Sequence, residues 1–201
     1  MNKTRVEAFT DAVLAIILTI MILEFKTPSS EQLGRILNQW PYLVSYAVGY
    51  LFIGVAWYNH HYLFEKTKLI TKQIYWVNNF WLFSTSFLPV ATAWTGRDLS
   101  AQGPEIFYTG VYVVWLFAYI LLSYVIANTN AKLGHPEIAK DIRNMKVYQF
   151  TTKLKWVIPQ IIIMILVLIY LPAIQLFLIA LRMTVVSANT NSDSDRVAVN
   201  K

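Results

Sequence analysis

Residues 5–23 read Arg5-Val6-Glu7-Ala8-Phe9-Thr10-Asp11-Ala12-Val13-Leu14-Ala15-Ile16-Ile17-Leu18-Thr19-Ile20-Met21-Ile22-Leu23. Beyond Asp11 the only polar side chain in this run is Thr19. A helix from about Ala8 to Phe25, at about 1.5 Å per residue, has the length and apolarity of a span through a hydrocarbon core about 30 Å thick. Lys3 and Arg5 precede the run, and Glu24 and Lys26 follow it without a small-residue cleavage site, so it reads as a retained helix and not as a signal peptide. Asp11 and Glu24 stand only about 20 Å apart along such a helix, so the core cannot leave both carboxylates in water. At least one needs a protein partner or a wet cavity.

The rest of the chain repeats the pattern. Apolar blocks cover about Trp40–Phe64, Gln73–Trp94 and Glu105–Asn128, each long enough to cross a bilayer. Gly96-Arg97-Asp98 and Gly103-Pro104 punctuate the third connection, and Asn130–Asn144 is polar. Trp156–Leu181 is apolar but short for two full spans. It is either one long helix, in which Pro159 and Pro172 are tolerated, or two, the first beginning near Tyr148 and the second, short, near Pro172. The tail from Ser187 to Lys201 is polar and expected to be disordered. Residues 1–186 are then one transmembrane domain.

Composition agrees. The 201 residues are 56% hydrophobic and only 14% charged, where a soluble domain carries roughly a quarter charged. The absence of cysteine excludes disulfides, thiolate metal sites and cysteine nucleophiles. The net charge of +6 lies between apolar blocks and therefore reports topology, not nucleic-acid binding. With a cytoplasmic N-terminus and six spans, only Lys26, Arg35 and Arg97 of the 17 basic residues fall in outer loops. That bias sets the orientation, with both termini cytoplasmic, and favours six spans over five only weakly. Trp40, Tyr42, Trp57, Trp76 and Trp94 lie near span ends, where aromatic belts form. The fold class expected is an all-α integral membrane protein of six helices.

Topology also groups polar residues. Asp11 lies near the inner end of the first span, His60 and His61 near the inner end of the second, and Asn78 and Asn79 at a similar depth on the third. A buried layer of Arg5, Thr10, Asp11, the histidines and the asparagines would satisfy these groups mutually. Metal ligation by His60 and His61 is disfavoured, because neighbours on a helix point about 100° apart and no thiol or carboxylate set accompanies them. On the first helix, Ile16, Ile20 and Leu23 fall within about 60° of one another, with Thr19 on their flank and Asp11 on the opposite side. Spacing alone makes ordinary helix packing the commoner use of such a stripe.

The motif Arg5-x-x-x-Phe9-Thr10-Asp11 resembles the Arg-x-x-x-Phe-Ser-Asp signature of the transmembrane protein 175 family, the endolysosomal potassium channels and their bacterial relatives. Trp57-Tyr58-Asn59-His60-His61 is similar to that family's second-span stretch, and Asn79 through Ser86-Phe87-Leu88-Pro89 to its third. Thr10 stands where the family has serine and keeps the hydroxyl. The resemblance implies a homotetramer in which the first helices line one central four-fold pore. It also implies that aliphatic rings at Ile16, Ile20 and Leu23, with Thr19 as the polar ring, act as gate and selectivity filter. On this reading the chain is a bacterial plasma-membrane channel. It passes potassium in modest preference to sodium, needs no cofactor or bound metal beyond the permeant ion, and has lipid, monovalent cations and its own copies as partners. Proton conduction within the same architecture is one alternative. A secondary transporter is a second, but no charged residue lies at a clear midplane. An enzyme lacks a catalytic motif here, and a purely structural membrane subunit would carry no current.

Overall fold

The computed structural model describes residues 1–28 and 31–189, and among these it is built from helices alone. In chain order they are α1 (Lys3–Leu23), α2 (Gly34–Leu37), α3 (Trp40–Glu65), α4 (Lys72–Thr85), α5 (Leu88–Thr95), α6 (Gln102–Lys132), α7 (Pro136–Asn144), α8 (Lys146–Thr152), α9 (Leu154–Tyr170) and α10 (Pro172–Asn189). Of these, α1, α3 and α6 are long and apolar enough to cross a membrane. The pair α8–α9 adds a fourth if its 65° bend lies within one span. The tail expected from Ser187 falls outside the described residues from residue 190 onward.

The third apolar block is not one helix. It breaks between Thr85 and Leu88 into α4 and α5. Pro89, in the first turn of α5, has no N–H to continue the ladder and its ring opposes the carbonyl four residues back. The break is closed locally by the Ser86 and Phe87 amides, which donate to Leu82 and Ser84 carbonyls at 3.0 and 3.5 Å. In the last third the chain takes the two-helix form. Pro172 opens α10, where a missing N–H costs nothing, after Leu171 leaves helical geometry at φ −142°. Pro159 sits inside α9 without ending it. The helix expected from near Tyr148 is instead the short α8 followed by the bend at Lys153.

The long helix α6 is the centre of the bundle and packs against α4, α5, α7, α8, α9 and α10. Its C-terminal turn ends at Gly134, whose φ of +85° is the left-handed value that favours glycine after a helix. Aromatic rings fill the contact of α3, α4 and α6. Phe52 meets Trp115 edge-on at 4.6 Å, and Trp115 stacks on Tyr119 at 5.8 Å and tilts against Trp81 at 6.3 Å. Beyond the C-terminal end of α3, the Lys66 amine meets Asp141 at 3.3 Å and ties α3 to α7. Burial pulls the Lys66 pKa down, but Tyr62 and Asp141 outweigh it and leave the amine above its ordinary value.

Gly96 lets α5 end against α3. A Cβ there would stand 2.9 Å from the Tyr42 Cα and 2.7 Å from its ring. Because a backbone atom has to move, Gly96→Ala is expected to destabilise the protein by about 1–3 kcal/mol, read as a lower thermal unfolding midpoint in detergent. Gly110→Ala on α6, where a Cβ meets nothing within 4 Å, is the control. It is expected to be neutral or stabilising by up to about 1 kcal/mol through helix propensity.

Candidate functional site

The first helix has two unlike faces. Val6, Thr10, Leu14, Ile17 and Met21 are buried, at spacings of four, four, three and four that trace one side of a helix. That side packs on α3, α4 and α5. The N-terminus is tied down where the Met1 amine donates to the Ile70 carbonyl at 3.2 Å and Lys3 to the Glu65 carbonyl at 3.0 Å. Near the other end, the Tyr42 hydroxyl donates to the Met21 carbonyl.

The remaining half of the circumference is uncovered in the single chain. Ile16 is 56% exposed, Ile20 42% and Leu23 78%, and Phe9 is half exposed on the same strip. Thr19 is exposed between them and donates its hydroxyl hydrogen to the Ile16 carbonyl at 2.9 Å, so the oxygen lone pairs remain free to face outward. The aliphatic stripe is therefore only partly packed within its own chain.

Three members of the expected polar layer meet behind this helix. Asn78 donates through Nδ2 to the Thr10 hydroxyl at 2.9 Å, and Thr10 donates onward to the Val6 carbonyl at 2.9 Å. The Asn78 Oδ1 lies 2.7 Å from His60 Nε2. Since the Asn78 amide nitrogen is spent on Thr10, Oδ1 is the acceptor and His60 Nε2 carries the proton. The imidazole is sandwiched by Phe64 at 4.1 Å and Trp81 at 4.8 Å. All three polar residues are buried, so the chain Thr10–Asn78–His60 links α1, α4 and α3 through the core.

The other four members of that layer are elsewhere. Asp11 is exposed and accepts from the Trp57 indole N–H at 2.8 Å. His61 is exposed and stacks on Trp57 at 5.9 Å. Asn79 is half-buried and donates to the Tyr75 carbonyl of its own helix at 2.8 Å. Arg5 is exposed and makes no ion pair among the described residues. The cause is helical rotation. Asp11, His61 and Asn79 each follow a buried member of the chain, and one residue turns the side chain about 100° away from it. Trp57, read above as part of an interface belt, is the residue that holds Asp11. Its signal was its position one turn before His61. Buried Asn59, which donates to the Val55 carbonyl at 2.8 Å, was also missed as an interior polar group.

Comparison with known proteins supports one family. Residues 5–89 match the model described as endosomal/lysosomal potassium channel TMEM175. A potassium channel of Chryseobacterium sp. strain P1-3 is 39% identical over 126 residues, which are 63% of this chain and 66% of that protein. The chain thus spans just under two thirds of that relative's length. The endosomal/lysosomal proton channel TMEM175 of Danio rerio is 28% identical over 103 residues, 45% of this chain and 20% of that protein. The crystal structure of a lysosomal potassium-selective channel TMEM175 homolog from Chamaesiphon minutus superposes with a TM-score of 0.73 at 20% identity, covering 94% of this chain and 98% of that one. That likeness shows a shared fold along nearly the whole chain. The matched region holds the Arg5–Asp11 motif, the exposed stripe of α1 and the Thr10–Asn78–His60 chain, and over residues 5–89 the chain is similar to the TMEM175 family, a family of ion channels and not of enzymes.

Proposed function

We propose that the protein is a cation channel, weakly selective for potassium over sodium, in which four copies place their α1 helices around a common pore. The observation that carries this reading is the uncovered stripe of Ile16, Ile20 and Leu23 with Thr19 on a helix whose other face is locked into the bundle. A membrane helix held this way offers the stripe to lipid or to sister subunits. An exposed threonine and the family relationship favour the subunits. Six crossings follow if α4–α5 and α8–α9 each count as one broken span and α10 as a short one. Both termini are then cytoplasmic, in keeping with the distribution of basic residues.

The mechanism is dewetting. A ring of four isoleucines narrower than a hydrated ion excludes water and closes the path. Widening admits ions that keep part of their hydration. Potassium holds its water less tightly than sodium, so a greasy constriction passes it in modest preference. The Thr19 ring supplies polar oxygens between the aliphatic layers. The relative from Danio rerio is named a proton channel, and that keeps proton conduction as the second reading.

The test is flux from liposomes holding purified protein, with potassium, sodium and pH gradients imposed separately. Potassium flux is expected to exceed sodium flux by a few-fold, and cross-linked or native-mass species are expected to stop at four copies. Flux under a pH gradient alone would replace the potassium reading with the proton one. No flux under any gradient would leave a structural subunit.

A further inference from the structure

A charged corner forms where α8 turns into α9 through 65°. Lys153 makes the turn in extended backbone, and the Gln160 side-chain amide braces it by donating to the Phe150 carbonyl at 3.4 Å. Within the corner is a cavity of about 260 Å³. Phe150, Trp156 and Val185 form its apolar wall, with the two rings 5.9 Å apart. Lys146 and Gln149 form its polar wall. Two further amines are tied to these walls. Lys153 Nζ donates to Gln149 Oε1 at 2.9 Å, and Lys155 Nζ lies 5.6 Å from the centre of the Trp156 ring. Each of the three lysines thus lines the cavity or touches a residue that does.

The charge around this corner is one-sided. From Lys140 to Lys155 the chain has five basic residues and one acidic, Asp141, which faces Lys66. Lys153 and Lys155 are exposed and form no ion pair among the described residues. Directly after them the chain is apolar, and of the residues of α9 only Met164 is buried. Lysines and a tryptophan at the start of such a helix mark the level of the lipid headgroups. A second cavity, of about 430 Å³, runs between α6 and α9. It starts beside the corner, because Thr151 and Val157 line it and each is next in sequence to a ring of the first cavity. Beyond them it is walled by Phe117, Ile161 and Leu168. Arg182, the cation among its lining residues, is already engaged. It donates to Gln160 Oε1 and to Met164 Sδ, and it covers the Tyr112 ring at 5.1 Å. The groove therefore offers hydrocarbon, as an acyl chain requires.

We infer that the α8–α9 corner binds one acidic phospholipid, with its phosphate at the Lys146, Lys153 and Lys155 amines and an acyl chain in the groove between α6 and α9. The amines bring positive charge and donors to the phosphate oxygens. No carboxylate accompanies Lys153 or Lys155 to receive the ammonium of a zwitterionic headgroup, so an acidic headgroup is preferred. The Trp156 indole sits between the two parts of the ligand, polar edge toward the headgroup and ring toward the chain. Since α9 buries so little of itself against its own chain, the lipid fastens it to α6.

The test is native mass spectrometry of the purified protein in detergent, titrated with phosphatidylglycerol or with phosphatidylcholine of the same acyl chains. Each chain is expected to retain one phosphatidylglycerol at a concentration about tenfold below that needed for phosphatidylcholine. Lys153→Gln/Lys155→Gln raises the phosphatidylglycerol concentration needed by about tenfold or more and removes the preference. The single variant Lys155→Gln shows a smaller loss and stands in if the double variant does not fold. Ile161→Trp, which fills the groove, weakens both lipids. Lys140→Gln/Arg143→Gln takes the same charge from α7, away from the cavity, and leaves the binding within about twofold of wild type. An excess of inorganic phosphate does not displace the lipid. The inference is overturned if the two lipids bind alike, if the α7 variant loses as much as the α8–α9 variants, if Ile161→Trp changes nothing, or if inorganic phosphate competes. The first two results would reduce the lysines to general surface charge, and the last would make the corner an anion site without a lipid. None of these readouts depends on ion flux, so this inference and the channel reading fail separately.

Discussion

Replacing Ile16 with asparagine is expected to bring the potassium-to-sodium permeability ratio close to one and to raise resting cation flux by about tenfold or more. In a four-fold assembly the change enters the ring four times. Each substitution exchanges an aliphatic surface that water avoids for an amide that it wets, a difference of at least about 1 kcal/mol per side chain. A barrier lowered by about 1.4 kcal/mol already gives a tenfold rate, so even partial transmission of the four changes is visible in a flux assay. Ile16 is more than half exposed in the single chain, so the folded subunit tolerates the amide. Ile22→Asn makes the same chemical change about 120° around the helix, off the stripe, and is expected to keep the ratio within about twofold of wild type. If Ile16→Asn leaves the ratio where it was, the discriminating ring is elsewhere. Thr19→Val and Leu23→Asn are then the next positions to measure.

The sequence made the membrane helices legible to different degrees, and the reasons are physical. The helices α1, α3 and α6 stand out because burial in lipid or protein leaves long uninterrupted apolar runs. The break between α4 and α5 is invisible to hydropathy, since residues 73–94 are apolar on both sides of it. It follows from a backbone hydrogen bond that Pro89 cannot make, and prolines within membrane helices break some and spare others, as Pro159 shows inside α9. The candidate site divides in the same way. Depth in the membrane can be counted from the loops, and it placed Thr10, His60 and Asn78 at one level. Rotation about each helix axis cannot be counted from the loops. It decides which residue of the pairs Thr10-Asp11, His60-His61 and Asn78-Asn79 turns inward, and in each case depth grouped both. The burial of Glu105 escaped notice because a glutamate at the start of a span looks like an interfacial residue until packing shows it covered.

The rotation argument carries the other large effect. Asn78→Leu is expected to lower stability by about 2–4 kcal/mol, and Asn79→Leu by no more than about 0.5 kcal/mol, although the two residues are adjacent. Asn78 is fully buried and gives one hydrogen bond to Thr10 while accepting another from His60. Leucine occupies a similar volume but leaves the His60 N–H without an acceptor between Phe64 and Trp81, at a desolvation cost of about 1–3 kcal/mol. Loss of the bond to Thr10 adds about 1 kcal/mol and frees α1 from α4. Thr10 itself suffers less, because its hydroxyl still donates to the Val6 carbonyl. Asn79 bonds only the carbonyl of its own helix, and leucine replaces that with better helix propensity. For a protein of this size the Asn78 change corresponds to a fall of roughly 5–15 °C in the unfolding midpoint. The pairing is isolated by His60→Phe, which keeps the stacking surface and removes the donor. The double variant His60→Phe/Asn78→Leu is expected to be more stable than the sum of the single losses by about 1–3 kcal/mol, since no buried donor is then left unmet. Strict additivity would mean that His60 and Asn78 do not depend on each other, and the core link between α1, α4 and α3 would have to be sought in the apolar contacts alone.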